Sequence, residues 1–164
     1  SSLCCIIVLN TLYEEVLMNE LITLLDKDLN YLSHEIIDDT IYIYITSTRS
    51  EIPCPFCGHI STKTHSTYER SFQDLPIQGK KVKMNIKNRK MFCNNPECSH
   101  KTFAERFVWL SNKSKKTQRL EDEIVHVSLN CSSIAATRFL RENTVAIGKS
   151  TICNLLKKRK TSNR

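Results

Sequence analysis

The sequence has no hydrophobic run long enough to cross a membrane. The apolar stretch Leu3–Leu9 covers only seven residues, where a spanning helix takes about 20. It also lacks a basic leader and a small-residue cleavage site, so it does not read as a secretory signal. Acidic side chains thin out after residue 50. Residues 1–50 hold 8 acidic and 2 basic side chains, whereas residues 51–164 hold 9 acidic and 22 basic ones. An acidic first third followed by a strongly basic remainder fits a polyanionic partner such as nucleic acid. A solvated basic surface kept for solubility is the competing reading. Carboxylate groupings of the kind that hold catalytic metal ions are scarce too. Asp38-Asp39 reads as a turn, and Glu121-Asp122-Glu123 as an exposed helix start where acids complement the helix dipole.

Cysteine, in contrast, is plentiful. The chain has eight, and four fall in two tight pairs: Cys54-Pro55-Phe56-Cys57-Gly58 and Cys93-Asn94-Asn95-Pro96-Glu97-Cys98. Pro55 and Gly58 in the first pair, and Asn94, Asn95 and Pro96 in the second, are turn-forming residues that let both sulfurs of a pair face one point. Two such knuckles supply the four thiolates of a tetrahedral structural Zn2+ site, so Cys54, Cys57, Cys93 and Cys98 are the expected ligands. Two disulfides would suit a secreted chain instead. A redox CxxC would open a helix after a strand, and here Cys57 leads into a Ser/Thr-rich stretch. His59, His65 and His100 lie near the ligands, but four thiolates already close the shell. Closure also excludes a zinc hydrolase, which needs an open position for water. Cys4, Cys5, Cys131 and Cys153 sit among apolar residues and read as buried free thiols. Free thiols beside a zinc quartet point to a reducing, cytoplasmic setting.

The fold class expected is α+β: an N-terminal helix and β-hairpin over residues 1–50, a zinc-ribbon-like antiparallel module over 51–110, and a three-helix domain over 117–160. Residue 1 is Ser, and Met18 is the first methionine, so a natural start at Met18 is expected. Thr11–Leu25 has helical spacing, with Leu12, Val16 (or Leu17), Leu21 and Leu24 on one face. Leu32–Ile37 and the alternating Ile41, Ile43 and Ile45 predict two strands joined at Asp38-Asp39. Tyr42 and Tyr44 then belong to the sheet surface. Ser66–Gln73 predicts a strand and Asp74–Gly79 a loop. Val82, Met84 and Ile86 predict a strand whose other face carries Lys81, Lys83, Asn85 and Lys87. Phe103, Phe107, Val108, Trp109 and Leu110 are expected to pack on the ribbon. Residues 111–116 mark a boundary, and their lysines fit either phosphate contact or a solvated linker.

From Thr117 the period turns helical. Leu120, Ile124, Val127 and Cys131 define one buried face. Ser132 or Ser133 caps a short helix carrying Ile134, Ala135, Ala136, Phe139 and Leu140. Glu142–Gly148 reads as a turn, and Ser150 as the cap of a last helix bearing Ile152, Leu155 and Leu156. That order is a helix-turn-helix or a plain three-helix bundle. In the first case the last helix enters the major groove, and Lys149, Ser150, Thr151, Asn154 and Lys157 face the DNA. Asn154 suits a bidentate contact to adenine, and Lys149 a guanine or phosphate. Lys157, Lys158, Arg159 and Lys160 suit phosphates; a frayed, solvated tail is the alternative for them.

Taken in order, Cys54-Pro55-Phe56-Cys57-Gly58, Arg70, Asp74-Leu75-Pro76, Gly79, Val82, Arg89, Phe92-Cys93, Cys98 and Phe103-Ala104-Glu105 resemble the N-terminal zinc-finger region of the ISL3-family transposases (the IS204/IS1001/IS1096/IS1165 group). Ser132-Ser133, Ala135-Ala136 and Ser150-Thr151-Ile152 resemble that family's helix-turn-helix. Met91 departs from the family pattern, which has an aromatic there. The resemblance covers roughly residues 19–158. It implies a bacterial, nucleoid-associated protein that binds the terminal inverted repeats of an insertion sequence as double-stranded DNA during transposition. A homodimer is one arrangement it admits. The family cuts DNA with a downstream acidic domain that holds divalent metals, whereas this sequence stops at Arg164. The resemblance therefore implies a truncated, non-catalytic DNA-binding portion; a stand-alone regulator or an inactive remnant are the alternatives.

Overall fold

The structure is a computed structural model and describes residues 15–145 and 147–162. Among these residues it is α+β, with four helices and two sheets. Helix α1 covers 15–23 among the described residues. Then follow β1 (Leu29–Ile37), β2 (Thr40–Ser47), β3 (Ile52–Pro53), β4 (Ile60–Ser61), β5 (Thr64–Ile77), β6 (Lys80–Phe92) and β7 (Thr102–Ala104). The chain ends in α2 (Gln118–Asn130), α3 (Ser133–Asn143) and α4 (Lys149–Ser162). The larger sheet has the order β1-β2-β6-β5, with β7 also paired to β6; β3 and β4 form a separate two-stranded sheet. No helix among the described residues is long and apolar enough to cross a membrane.

By its internal contacts the chain divides into two compact units. The first takes the chain up to Glu35, Tyr42–Ser71 and Met84–Val108; the second takes Ile36–Ile41, Phe72–Lys83 and the chain from Trp109 onward. The stretch 111–116 lies inside the second unit, where Gln73 bridges to Lys116 and the N–H of Thr117 donates to the Gln73 carbonyl.

In the first unit the sheet strands alternate as their sequences require. Ile43 and Ile45 are buried on β2; Met84, Ile86 and Asn88 are buried on β6. The apolar row of α1 faces solvent. Val16, Leu17, Leu21 and Leu24 are exposed, and Ile22 is the side chain that α1 buries. Helical spacing identifies a shared row but not which row meets the sheet. Leu12 lies outside the described residues. The strand expected from Leu32 begins at Leu29, which is fully buried. Arg49 ties this unit together. It donates to Asp26 at 2.6 Å, to Asp28 at 3.2 Å and to the Arg106 carbonyl at 3.0 Å, and its guanidinium lies 5.3 Å from the centre of the Phe107 ring.

In the second unit the expected loop at Asp74–Gly79 is mostly strand. β5 continues to Ile77, and only Gln78 and Gly79 turn the chain, with φ of 49° and 78°. A two-residue hairpin loop with both φ positive matches the twist of the flanking strands, and Gly79 adopts that conformation without penalty. The strand persists because Asp74 continues the buried row begun by Phe72 and has its charge satisfied. Its carboxylate accepts from Thr117 Oγ1 at 2.6 Å, from Arg119 Nε at 2.8 Å and from Arg119 Nη2. Phe72 meets Trp109 with ring centres 5.1 Å apart. Phe107, Trp109 and Leu110 are buried, whereas Val108 is 95% exposed.

The three last helices pack on one another around Leu120, Ile124, Ala136, Leu140, Val145, Ile147 and Ile152. Thr117 caps α2 and Ser132 caps α3, each accepting the N–H three residues on. Four expectations here need correction. Cys131 is exposed just past the end of α2, and Cys153 is only half-buried; a cysteine one residue past the helix leaves the buried row. Cys4 and Cys5 lie outside the described residues. Glu121 is buried, because Ser114 Oγ at 2.7 Å and Lys158 Nζ at 3.2 Å satisfy its carboxylate. Helix α3 runs on to Asn143. Ser150 is not the cap of α4 but its second residue; the Gly148 carbonyl accepts from the N–H groups of Thr151 and Ile152.

Candidate metal centre and nucleic-acid interface

The two knuckles are built by short-range hydrogen bonds. In the first, Gly58 N–H donates to the Cys54 carbonyl at 2.8 Å and Cys54 N–H to the His59 carbonyl at 2.9 Å. Gly58 supplies the positive φ (74°) that closes the turn. In the second, Cys98 N–H donates to the Asn95 carbonyl at 3.2 Å, and Asn95 Oδ1 accepts from Glu97 N–H at 3.0 Å. The outer segments are joined as well: β3 pairs with β4, β7 pairs with β6 through Met91↔Phe103, and Cys93 N–H donates to the Lys101 carbonyl at 2.9 Å. Ile52, Met91 and Phe103 then pack around Cys54, Cys93 and Cys98.

The result is one cluster of four sulfurs, all within 4.8 Å of one another. Cys54 Sγ lies 4.0 Å from Cys98 Sγ, and Cys57 Sγ lies 3.5 Å from Cys93 Sγ. A Zn–S bond of about 2.3 Å puts the sulfurs of a ZnS4 tetrahedron about 3.8 Å apart. A disulfide would need about 2.05 Å. Each close pair joins one cysteine of the first knuckle to one of the second. The donor set therefore fits one structural zinc ion held by Cys54, Cys57, Cys93 and Cys98, which ties the two ends of the ribbon. Three of the four are buried and Cys57 is exposed. The backbone N–H of His59 pulls the Cys57 thiol down to about 7, while burial pushes Cys93 up to about 12. Cys98 Sγ accepts from the His100 N–H at 3.5 Å.

The neighbouring histidines have other roles. His100 stacks on Phe56 with ring centres 3.5 Å apart and planes 2° from parallel, and His65 meets the edge of Phe92 at 4.8 Å. Next to β7, Glu105 is fully buried. It accepts from Arg89 Nε at 2.9 Å, from Arg89 Nη2 at 3.1 Å and from Ser47 Oγ at 2.6 Å.

On α4, Lys149, Ser150, Asn154, Lys157, Lys158, Arg159 and Lys160 are exposed and Thr151 is half-buried, while Ile152 is fully buried in the three-helix core. Ser150, Asn154 and Lys157 follow i, i+4, i+7 and form one solvent row. Lys158 differs from its neighbours, because its Nζ reaches Glu121 and, at 3.3 Å, Ser111 Oγ. Sequence spacing left out Arg138 and Arg141, which with Lys149 line a cleft between α3 and α4. Their signal was present: Ile134, Arg138 and Arg141 repeat at i, i+4, i+7 on the side of α3 opposite Ala136 and Leu140.

Known proteins point the same way. Residues 50–101 match the family model described as the zinc-finger of transposase IS204/IS1001/IS1096/IS1165. The chain is also similar to the transposase for insertion sequence element IS1001 of Bordetella parapertussis, at 28% identity over 100 residues. That match covers 61% of this chain and 24% of the transposase. No solved structure matches the chain. The matched segment begins just before Cys54 and ends just after Cys98, so it contains the whole four-sulfur cluster: over residues 50–101 the chain is similar to the zinc finger of the IS204/IS1001/IS1096/IS1165 transposases.

Proposed function

We propose that this chain is the DNA-binding portion of an ISL3-family insertion-sequence transposase and recognises the element's terminal inverted repeats. Zinc fixes the ribbon, and α2–α4 act as a helix-turn-helix with α4 in the major groove. The observation that carries this reading is the solvent row Ser150, Asn154 and Lys157 on a helix anchored through the buried Ile152. In this reading Asn154 contacts adenine through paired hydrogen bonds, and Lys149, Ser150 and Thr151 at the start of the helix meet the groove edge. Lys157, Arg159 and Lys160 hold phosphates; Lys158 does so in competition with Glu121. The net positive charge of residues 51–164 draws the duplex in.

Its contribution is recognition rather than strand cleavage. Two-metal DNA chemistry needs carboxylates that share metal ions. The buried carboxylates described above are each committed to a cation instead: Asp74 to Arg119, Glu105 to Arg89 and Glu121 to Lys158.

The test is selection from a random duplex library on the zinc-loaded chain. The expected outcome is an enriched motif that recurs as inverted repeats flanking the coding sequence. An enriched motif absent from those flanks would favour a regulator, and no enrichment would overturn site-specific binding.

A further inference from the structure

Several cations among the described residues have an acidic partner. Arg49, Arg89, Arg119 and Lys158 each pair with a carboxylate. The cleft between α3 and α4 is different. It encloses about 350 Å3 and is lined by Ile134, Thr137, Arg138, Arg141, Glu142 and Lys149. Three cations face one carboxylate there, and among the described residues no ion pair joins Glu142 to any of them. Like charges held together without a counter-ion raise the local potential and favour an incoming anion.

Two details favour the sugar-phosphate backbone of a duplex over a free anion. Arg141 is held in place, its Nε donating to the Ile147 carbonyl at 2.8 Å, so its Nη groups are available without further ordering. Ile134 is 65% exposed at the same cleft and adds an apolar wall beside the cations. A phosphodiester has both parts: an anionic phosphate for the arginines and an apolar deoxyribose face for Ile134. The first turns of α3 and α4 contain no acidic residue that would repel it.

We infer that the α3–α4 cleft grips a backbone phosphate of the same duplex that α4 reads, with Arg138 and Arg141 as positioning residues that set the register of α4. This rests on the DNA-binding reading above. The cleft contains Lys149 and adjoins Ser150, the first residue of the reading row, so a strand held there passes the start of that row.

The experiment is fluorescence anisotropy of the zinc-loaded chain on the selected duplex and on an unrelated one, across a salt series. The variants are Arg138→Gln and Asn154→Ala, each checked by thermal melting. Arg138→Gln is expected to weaken both duplexes by about tenfold and to reduce the salt slope by about one unit, leaving the motif preference unchanged. Asn154→Ala is expected to change the preference. Unchanged affinity and slope in Arg138→Gln, with Asn154→Ala still altering preference, would overturn the cleft alone. Wild-type chain that binds no duplex would remove both readings. Inorganic phosphate that competes at matched ionic strength, in the wild type but not in Arg138→Gln, would assign the cleft to a free anion and overturn the duplex contact.

Discussion

Asp74→Ala gives the sharpest stability test of the second unit. The carboxylate is 3% exposed and accepts from Thr117 Oγ1 and from two nitrogens of Arg119. Thr117 is itself fully buried and caps α2, so removing Asp74 leaves a buried hydroxyl without its acceptor and loosens the cap. Breaking a fully buried ion pair costs about 3–5 kcal/mol. Arg119 is about half exposed here, and its guanidinium can rehydrate, which lowers the expectation to about 2–3 kcal/mol. Asp74→Asn keeps an acceptor for Thr117 and should cost about 1–2 kcal/mol. The assay is urea unfolding followed by far-UV circular dichroism, in a double-mutant cycle with Arg119→Ala. A coupling energy of about 1 kcal/mol is expected. Asp74→Ala within about 0.5 kcal/mol of the wild type, typical of a neutral surface change, would refute the reasoning.

Two other outcomes follow from local geometry. Gly79→Ala should destabilise by about 1 kcal/mol through its φ of 78° alone, since nothing lies within 4 Å of a Cβ placed there; unfolding by urea measures it. In the folded, zinc-loaded chain, Cys57 should be the first of the four ligand cysteines to be alkylated, because it is exposed while Cys54, Cys93 and Cys98 are buried. Site-resolved mass spectrometry of a timed iodoacetamide reaction checks the order.

How much of this was legible in the sequence depended on how local the cause was. The metal ligands were legible because each pair closes its own turn, through Gly58 in one knuckle and Asn95 in the other. The hairpin at Asp38-Asp39 and the helices led by Thr117 and Ser132 were legible for the same reason. Polar residues buried by distant partners were not. Asp74 looked like part of a loop, since nothing nearby in sequence announces Thr117 and Arg119. Glu121 looked solvated because Lys158 lies 37 positions away. Arg89 and Glu105 appeared only as residues of a resemblance; the structure pairs the buried Glu105 with a partly buried Arg89. The apolar row of α1 was found but assigned no side, and it faces solvent.

The claim beneath the rest is that four sulfurs from two knuckles hold one zinc ion. Native mass spectrometry of the purified chain, compared with Cys57→Ser, tests it most directly. The account predicts one zinc per wild-type chain, removable by chelator with unfolding of the ribbon, and loss of stoichiometric zinc in Cys57→Ser. A full zinc equivalent retained by Cys57→Ser, or a wild-type chain that loads no zinc under reducing conditions, would contradict it.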